Sequence, residues 1–513
     1  MQGGSTAPPT VRPEQAEAQA STGDKGLKKG ALGFISSVVI GVASAAPGYG
    51  LAASLGLVVA AGVGLQSPAI FWVAFIPMLC IAFGYYYMNR ADPDCGTSFT
   101  WSTKAMGPWI GWVTGWAIIV ADIIVMANLA QIAGQYTYLL FGGEKAANST
   151  LAVTAAGVGW IVVMTAICYR GIELSARAQQ FLLGAELITL LLFAVVALAR
   201  VYAGDFPDSI RPSLSWLNPF EIDSPAALIN GVLVAVFMYW GWDTAVTVNE
   251  ETEDATKGPG KSAVVSTLIL LGIYVIVSIA AQAVHGANFL AEHHDDVLSK
   301  TGRDVFGSPL DKLLIIAVLT SAAAATQATI LPTARTMLSM GAATALPRVF
   351  SRVHSRFQTP DFSTVSMGSL SIVWYVGLTI ISEDALSDSI QALGLMIAFY
   401  YGLTGYACAI YYRREIFSSV EAFVAAGLLP FLGGAMLTYI IVKSVMDFID
   451  PGKHAILGVS APLGIAIIFT LLGLVALVLQ WRASPAFFRR KAEVAEPGSL
   501  APKQAIAGTA PPG

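Results

Sequence analysis

The sequence predicts an all-α integral membrane protein with about twelve transmembrane helices, on three observations. Apolar residues make up 55% of the 513 positions and charged residues only 12%, against roughly 25% charged in a soluble domain. Mean hydropathy is +0.66. Apolar segments of roughly 20 residues, the length that crosses a bilayer, recur along almost the whole chain.

In order, the spans fall near residues 33–61, 68–88, 109–140, 151–169, 179–203, 225–248, 262–284, 311–340, 363–382, 387–412, 417–443 and 461–481. With an even number of spans both termini lie on one side. Most of the 29 Lys and Arg gather there, among them Lys28, Lys29, Arg90, Arg170, Arg177, Lys261, Arg348, Arg352, Arg356, Arg413 and Arg414. Such a bias marks the cytoplasmic face, so both termini are expected in the cytoplasm and the protein in the cytoplasmic membrane. The net charge of −4 says little about partners.

Residues 1–30 and 482–513 are polar or rich in Pro, Ala and Gly, and are expected to be disordered cytoplasmic tails. The first thirty residues lack the apolar core of a cleavable signal peptide. Cys80, Cys95, Cys168 and Cys408 show no paired spacing, so neither a disulfide nor a metal site is expected. No GxxxxGK[ST] loop or HExxH occurs, and no Ser or Cys has a convincing His partner. An enzyme is therefore not expected, and no catalytic residue, cofactor or nucleic-acid partner is assigned. His293-His294-Asp295-Asp296 reads as a solvated external turn.

Two spans are interrupted at their centres. The first apolar stretch, Leu32 to Ala61, carries Ser44-Ala45-Ala46-Pro47-Gly48-Tyr49-Gly50, and the stretch from Ala226 to Val248 carries Tyr239-Trp240-Gly241-Trp242-Asp243. Proline lacks an N–H and glycine admits positive φ, so both sites break a helix. Freed backbone groups at membrane depth are tolerated only inside protein or along a watery cavity. Matching breaks in two halves of a chain point to a transporter's substrate site. Amides at the second half-helix would face an anionic group, and Trp240 and Trp242 could close over a ligand. Buried acids within spans are functional candidates. Asp243 follows the second break directly, and Asp122 and Glu186 are candidates for proton coupling.

Several stretches resemble the amino acid–polyamine–organocation (APC) permeases. Phe237-Met238-Tyr239-Trp240-Gly241-Trp242-Asp243-Thr244, then Glu250-Glu251 and Lys257-Gly258-Pro259, is similar to that family's sixth span and following loop. ARTMLSMGAATALPRVFSRVHSRFQTP, Ala334 to Pro360, resembles the Arg-containing segment after its eighth span. Gly96 to Gly107 with Trp109, Tyr169-Arg170-Gly171 through Gln179, and Tyr400-Tyr401-Gly402-Leu403-Thr404 with Arg413-Arg414 resemble its third, fifth and tenth.

The resemblance implies a five-plus-five inverted-repeat bundle with discontinuous first and sixth helices and two further helices. On this chain that is a transport core at 31–412, divided into 31–203 and 225–412, with the extra pair at 417–481. It further implies that Ser44, Ala45, Ala46, Pro47 and Gly48 hold a substrate carboxylate, and that Tyr239, Trp240, Gly241 and Trp242, with Asp243 beside them, serve the amine and gate. The first break departs from the family's Gly-Ser-Gly-like pattern, and Glu186 stands where some proton-coupled members have Lys. The expected function is secondary transport of an amino acid or related amine across the bilayer by alternating access. Protons are a candidate second substrate. An amino acid/polyamine exchanger and a non-transporting nutrient sensor are the alternatives; oligomeric state is left open.

Overall fold

The computed structural model describes residues 25–294, 297–381, 385–450, 455–496 and 500. The outer tails and Asp295 and Asp296 lie outside the described residues. Eleven helical stretches among the described residues are long and apolar enough to cross a membrane. The first, 58 residues from Phe34 to Ala91, joins two helical segments of crossing length through a turn in which Gly62 takes φ +95°.

Phe34–Ala45 (α1) and Pro47–Val58 (α2) form the first span. A single residue separates them: Ala46, at φ 49° and ψ 63°. For an L-residue this left-handed geometry costs about 1–2 kcal/mol. Pro47 opens α2, where its missing N–H leaves nothing unpaired and its fixed φ suits the helix. Gly48 and Gly50 are ordinary helical residues of α2, so the interruption is Ala46 rather than the glycines.

Next come Ser67–Ala91 (α3), the amphipathic Ser98–Met106 (α4), Pro108–Leu140 (α5), Thr150–Arg170 (α6) and Ile172–Ala203 (α7). Pro225–Tyr239 (α8) is capped by the Ser224 hydroxyl, which accepts from the Ala227 amide at 3.3 Å. The sixth span then unwinds and resumes as the short Thr244–Thr247 (α9). Gly258–Glu292 (α10), Val297–Phe306 (α11), Lys312–Ala342 (α12), Asp361–Ile381 (α13) and Ala385–Tyr411 (α14) follow. Leu429–Phe448 (α15), a two-stranded hairpin at Ala455–Ile456 and Val459–Ser460, and Ala461–Ala483 (α16) complete the chain.

Burial separates the helices into inner and outer sets. In α5 and α12 the apolar windows are 78% and 83% buried, against 28% in α6 and 33% in α7 and α16. The outer helices carry exposed Phe181, Ile188, Val195, Leu472 and Leu479, which suits contact with lipid tails. The inner pair packs together along its length and forms the wall facing both broken spans.

Some boundaries differ from the sequence reading. The fifth span begins at Ile172 rather than near 179, and the eleventh covers Ala422–Phe448 rather than 417–443. Residues 25–30, the end of the segment assigned to a tail on composition, pack against the bundle through Leu27, which is buried with Cys95 and Leu338, and just beyond them Leu32 pairs in parallel with Thr252. The start of the other tail also docks, through buried Phe487 and Phe488 and an Ala495 amide that donates to the Tyr411 carbonyl.

Candidate functional site

The two interruptions meet. Gly241 takes φ +110°, and a Cβ there would lie 2.7 Å from the Ser44 carbonyl carbon and oxygen and 2.9 Å from the Ala45 nitrogen. Only glycine satisfies both the conformation and the approach. The Ser44 and Thr244 hydroxyls hydrogen-bond at 2.8 Å, tying the end of α1 to the start of α9.

A small, narrow cavity lies at this junction. Of the sequence-derived candidates, Ser44, Ala45, Ala46, Trp240, Gly241, Asp243 and Asp122 line it. The remaining wall is partly apolar (Tyr49, Ile118, Val125, Leu129, Phe237) and partly hydroxylated (Thr97, Thr244, Thr247, Thr329, Thr336, Tyr400). Among the described residues no Lys, Arg or His lines it. The carbonyl ends of α1 and α8 both reach the cavity, each carrying about half a negative charge. The ends of α1 and α8 and two carboxyl groups thus offer the chamber a set of hydrogen-bond acceptors of the kind an ammonium uses.

The amides expected to face a carboxylate already have partners. The Gly48 N–H donates to Glu186 Oε1 at 2.7 Å and the Tyr49 N–H to Ser321 Oγ at 3.0 Å. Pro47 has no N–H, and the Gly50 N–H is bonded to the Ala46 carbonyl. The N-terminal dipole of α2 is thus capped by the protein's own acid, and Pro47 and Gly48 do not line the cavity. Glu186 is fully buried behind α2, with Oε2 lacking a protein partner.

Asp243 accepts from the hydroxyls of Tyr401 at 2.8 Å, Tyr85 at 3.2 Å and Tyr400 at 3.5 Å. The Trp240 indole N–H donates to the Tyr400 hydroxyl, so Trp240 and the acid share one network. Trp242 turns away from the cavity and packs edge-on against Tyr85, with its ring centroid 5.2 Å from that of Tyr401. Tyr239 also points elsewhere, donating to the Phe71 carbonyl of α3 at 3.1 Å. Asp122 bonds to the Thr333 hydroxyl at 2.6 Å, linking α5 to α12.

A second polar cluster closes the basic end of the bundle. The Lys25 ammonium sits 2.6 Å from Asp94 and 2.5 Å from Glu250. Burial opposes its charge, but Cys95, Asp94 and Glu250 more than offset this and hold the ammonium well above the ordinary lysine range. Burial likewise penalises the Asp94 carboxylate, yet Lys25, Ser339 and the Gly96 amide keep it below the usual carboxylate value. Beside this, Arg335 of α12 is buried and bonds Glu251 through Nε at 2.6 Å. Asp94, Cys95 and Glu250 lie close enough to hold a metal ion, but the Lys25 ammonium takes both carboxylates. The four cysteines are buried and free. His293 and His294 fold back onto the Phe289 and Ala291 carbonyls of their own helix end.

Sequence reasoning missed Ser321, the cavity threonines of α12 and Lys25. Thr329, Thr333 and Thr336 recur at helical spacing on one face of an otherwise apolar span, a legible signal for a polar lining. The Lys25 contact has no such local signature.

Discontinuous helices meeting over a cavity inside a many-spanned bundle define a multi-pass membrane transporter. The chain belongs to the amino acid permease family, whose profile matches residues 31–482. It is 22% identical over 379 residues to the cationic amino acid transporter 3, mitochondrial, of Arabidopsis thaliana, covering 72% of this chain and 60% of that protein. It is 26% identical over 341 residues to an uncharacterized transporter of Mycobacterium tuberculosis, covering 66% and 72%. With the branched-chain amino acid permease BcaP of Bacillus subtilis it shares 24% identity over 370 residues, covering 69% and 75%.

Proposed function

We propose that this chain is a secondary active transporter that carries an amino acid or related amine through the cavity between its two broken spans. The carrying observation is the contact of Gly241 with Ser44 and Ala45 beside a chamber that holds two acids and no cation. Ser44, Ala45 and the end of α8 present carbonyl oxygens to the substrate ammonium, with Asp243 and Asp122 supplying the field. Trp240 and Phe237 bound the side-chain end. Substrates with a positive or strongly polarised amine are favoured over anionic ones, because the α2 amides are already committed to Glu186 and Ser321.

In this reading Lys25, Asp94, Glu250, Glu251 and Arg335 hold the cytoplasmic side shut, and transport releases that lock so that the broken spans tilt against α5 and α12. Glu186 and Asp122 are the groups through which protons couple. A ligand shifts such an equilibrium only through unequal affinity for the two states. Uptake of radiolabelled cationic, branched-chain and acidic amino acids and of polyamines into proteoliposomes, with and without an imposed pH gradient, tests the reading. Saturable uptake of an amine-bearing substrate is expected; absence of uptake across the panel by folded protein overturns it.

A further inference from the structure

A second open space lies away from the transport cavity, between α6 and α13 at the basic end of the bundle, with an empty volume of about 1460 Å³. Its floor is a close crossing: a Cβ on Gly368 would stand 2.4 Å from Thr165 Oγ1. Small side chains along both helices, Ala166 and Ser369 included, keep a furrow open above that contact. The sides are apolar and face outward, with Val162 53% and Val365 49% exposed, so the furrow opens toward hydrocarbon.

Its basic end carries two exposed guanidiniums, Arg170 and Arg356. Neither pairs with an acid among the described residues; the nearby acids Asp361 and Glu173 are engaged by Arg352 and Lys28. Arg356 rests over the Phe357 ring at 5.5 Å, beside the edge-on pair of Tyr169 and Phe357. Aromatic rings of this kind mark headgroup depth. Unpaired arginines at the rim of a lipid-facing apolar furrow call for an anion, and the guanidinium fork matches phosphate oxygens. Basic pockets between transmembrane helices on the cytoplasmic side take anionic lipid headgroups.

We propose that this furrow binds one anionic phospholipid, its phosphate held between Arg170 and Arg356 and an acyl chain lying along Val162 and Val365. The apolar sides distinguish this from a free-phosphate site, since a soluble anion would leave them unused. The site is separate from the transport cavity and does not depend on the identity of the transported substrate.

Thermal unfolding of the purified protein in detergent, with phosphatidylglycerol or phosphatidylcholine added, tests this, alongside native mass spectrometry for retained lipid. Phosphatidylglycerol is expected to raise the midpoint by about 3 °C more than phosphatidylcholine. The double variant Arg170→Gln/Arg356→Gln loses that difference and the retained lipid, whereas Arg170→Lys/Arg356→Lys keeps part of it. If the glutamine variant does not fold, Ala166→Trp decides, because it fills the furrow without touching the charges and abolishes the preference. Equal stabilisation by both lipids, or a preference that survives in the glutamine or tryptophan variant, overturns the proposal. So does a shift with soluble glycerol phosphate as large as that with phosphatidylglycerol.

Discussion

The Glu186 carboxylate accepts a 2.7 Å hydrogen bond from the Gly48 amide, joining the middle of the fifth span to the first turn of the second half-helix. An anion at a helix N-terminus is stabilised by the dipole there. It takes the amide that the sequence assigned to a substrate carboxylate, so Glu186 and an anionic group would compete for that one donor. Glu186→Gln preserves an acceptor and removes the charge. Uptake driven by a pH gradient falls by roughly tenfold, the scale of a typical coupling free energy, while substrate exchange without a gradient is retained. Equal loss in both assays assigns Glu186 a structural role only.

Gly241→Ala places a methyl group 2.7 Å from the Ser44 backbone at φ +110°. Strain of this kind costs about 1–3 kcal/mol, and the close approach adds to it. Transport is expected to be lost. Gly50→Ala provides the contrast, because its Cβ would meet Met238 and the Tyr274 hydroxyl only at 3.8 Å from within a helix. That variant keeps near-normal uptake, measured in the same vesicles.

Tyr401→Phe removes the shortest of the hydrogen bonds to Asp243. A bond to a charged acceptor contributes about 1.5–3 kcal/mol, so substrate affinity drops by roughly tenfold or more. Asp243→Asn has a larger effect on transport and changes its pH profile, while expression and melting behaviour remain close to the parent's. A pH profile identical to the parent's would remove Asp243 from the transport site.

Lys25→Met strands Asp94 and Glu250 without their cation. Loss of one partner from a buried pair costs about 3–5 kcal/mol, so the population open at that end rises. Cys95, buried beside Lys25, reports the opening: maleimide labels it faster in Lys25→Met, in a background lacking the other three cysteines.

The pH dependence of that lock has a definite sign. A depressed Asp94 contributes stability above its unfolded value of about 3.9 that is lost only as pH falls through a lower value. A raised Lys25 contributes stability below about 10.4 that is lost only as pH rises through a higher one. The labelling difference between parent and Lys25→Met is therefore flat between about pH 5 and 9. A step near neutrality would place another titrating group in the lock.

Both breaks are legible because Pro47 and Gly241 announce themselves by chemistry, whatever surrounds them. The directions of Tyr239 and Trp242 are not, since an unwound segment has no helical period to assign its side chains to faces. The Glu186–Gly48 contact escapes for a different reason: it joins residues 138 positions apart, and its partner atom is a backbone amide without any residue signature. Lys25 hides in a stretch whose average composition reads as tail. Burial there is decided by two acids in distant loops rather than by local hydrophobicity.

One short pairing has mechanical weight. Leu32 donates to the Glu251 carbonyl and accepts from the Glu253 amide, each at 3.0 Å, in a single rung of parallel ladder between the entry to α1 and the segment after α9. The rung yokes the two interrupted spans at their shared end, while Ser44 and Thr244 pin them again at the centre. Two fastenings along one axis leave the pair little freedom to slide or to move singly. In the proposed cycle they would swing together like the leaves of one door, and an insertion between 248 and 254 would let one leaf hang loose.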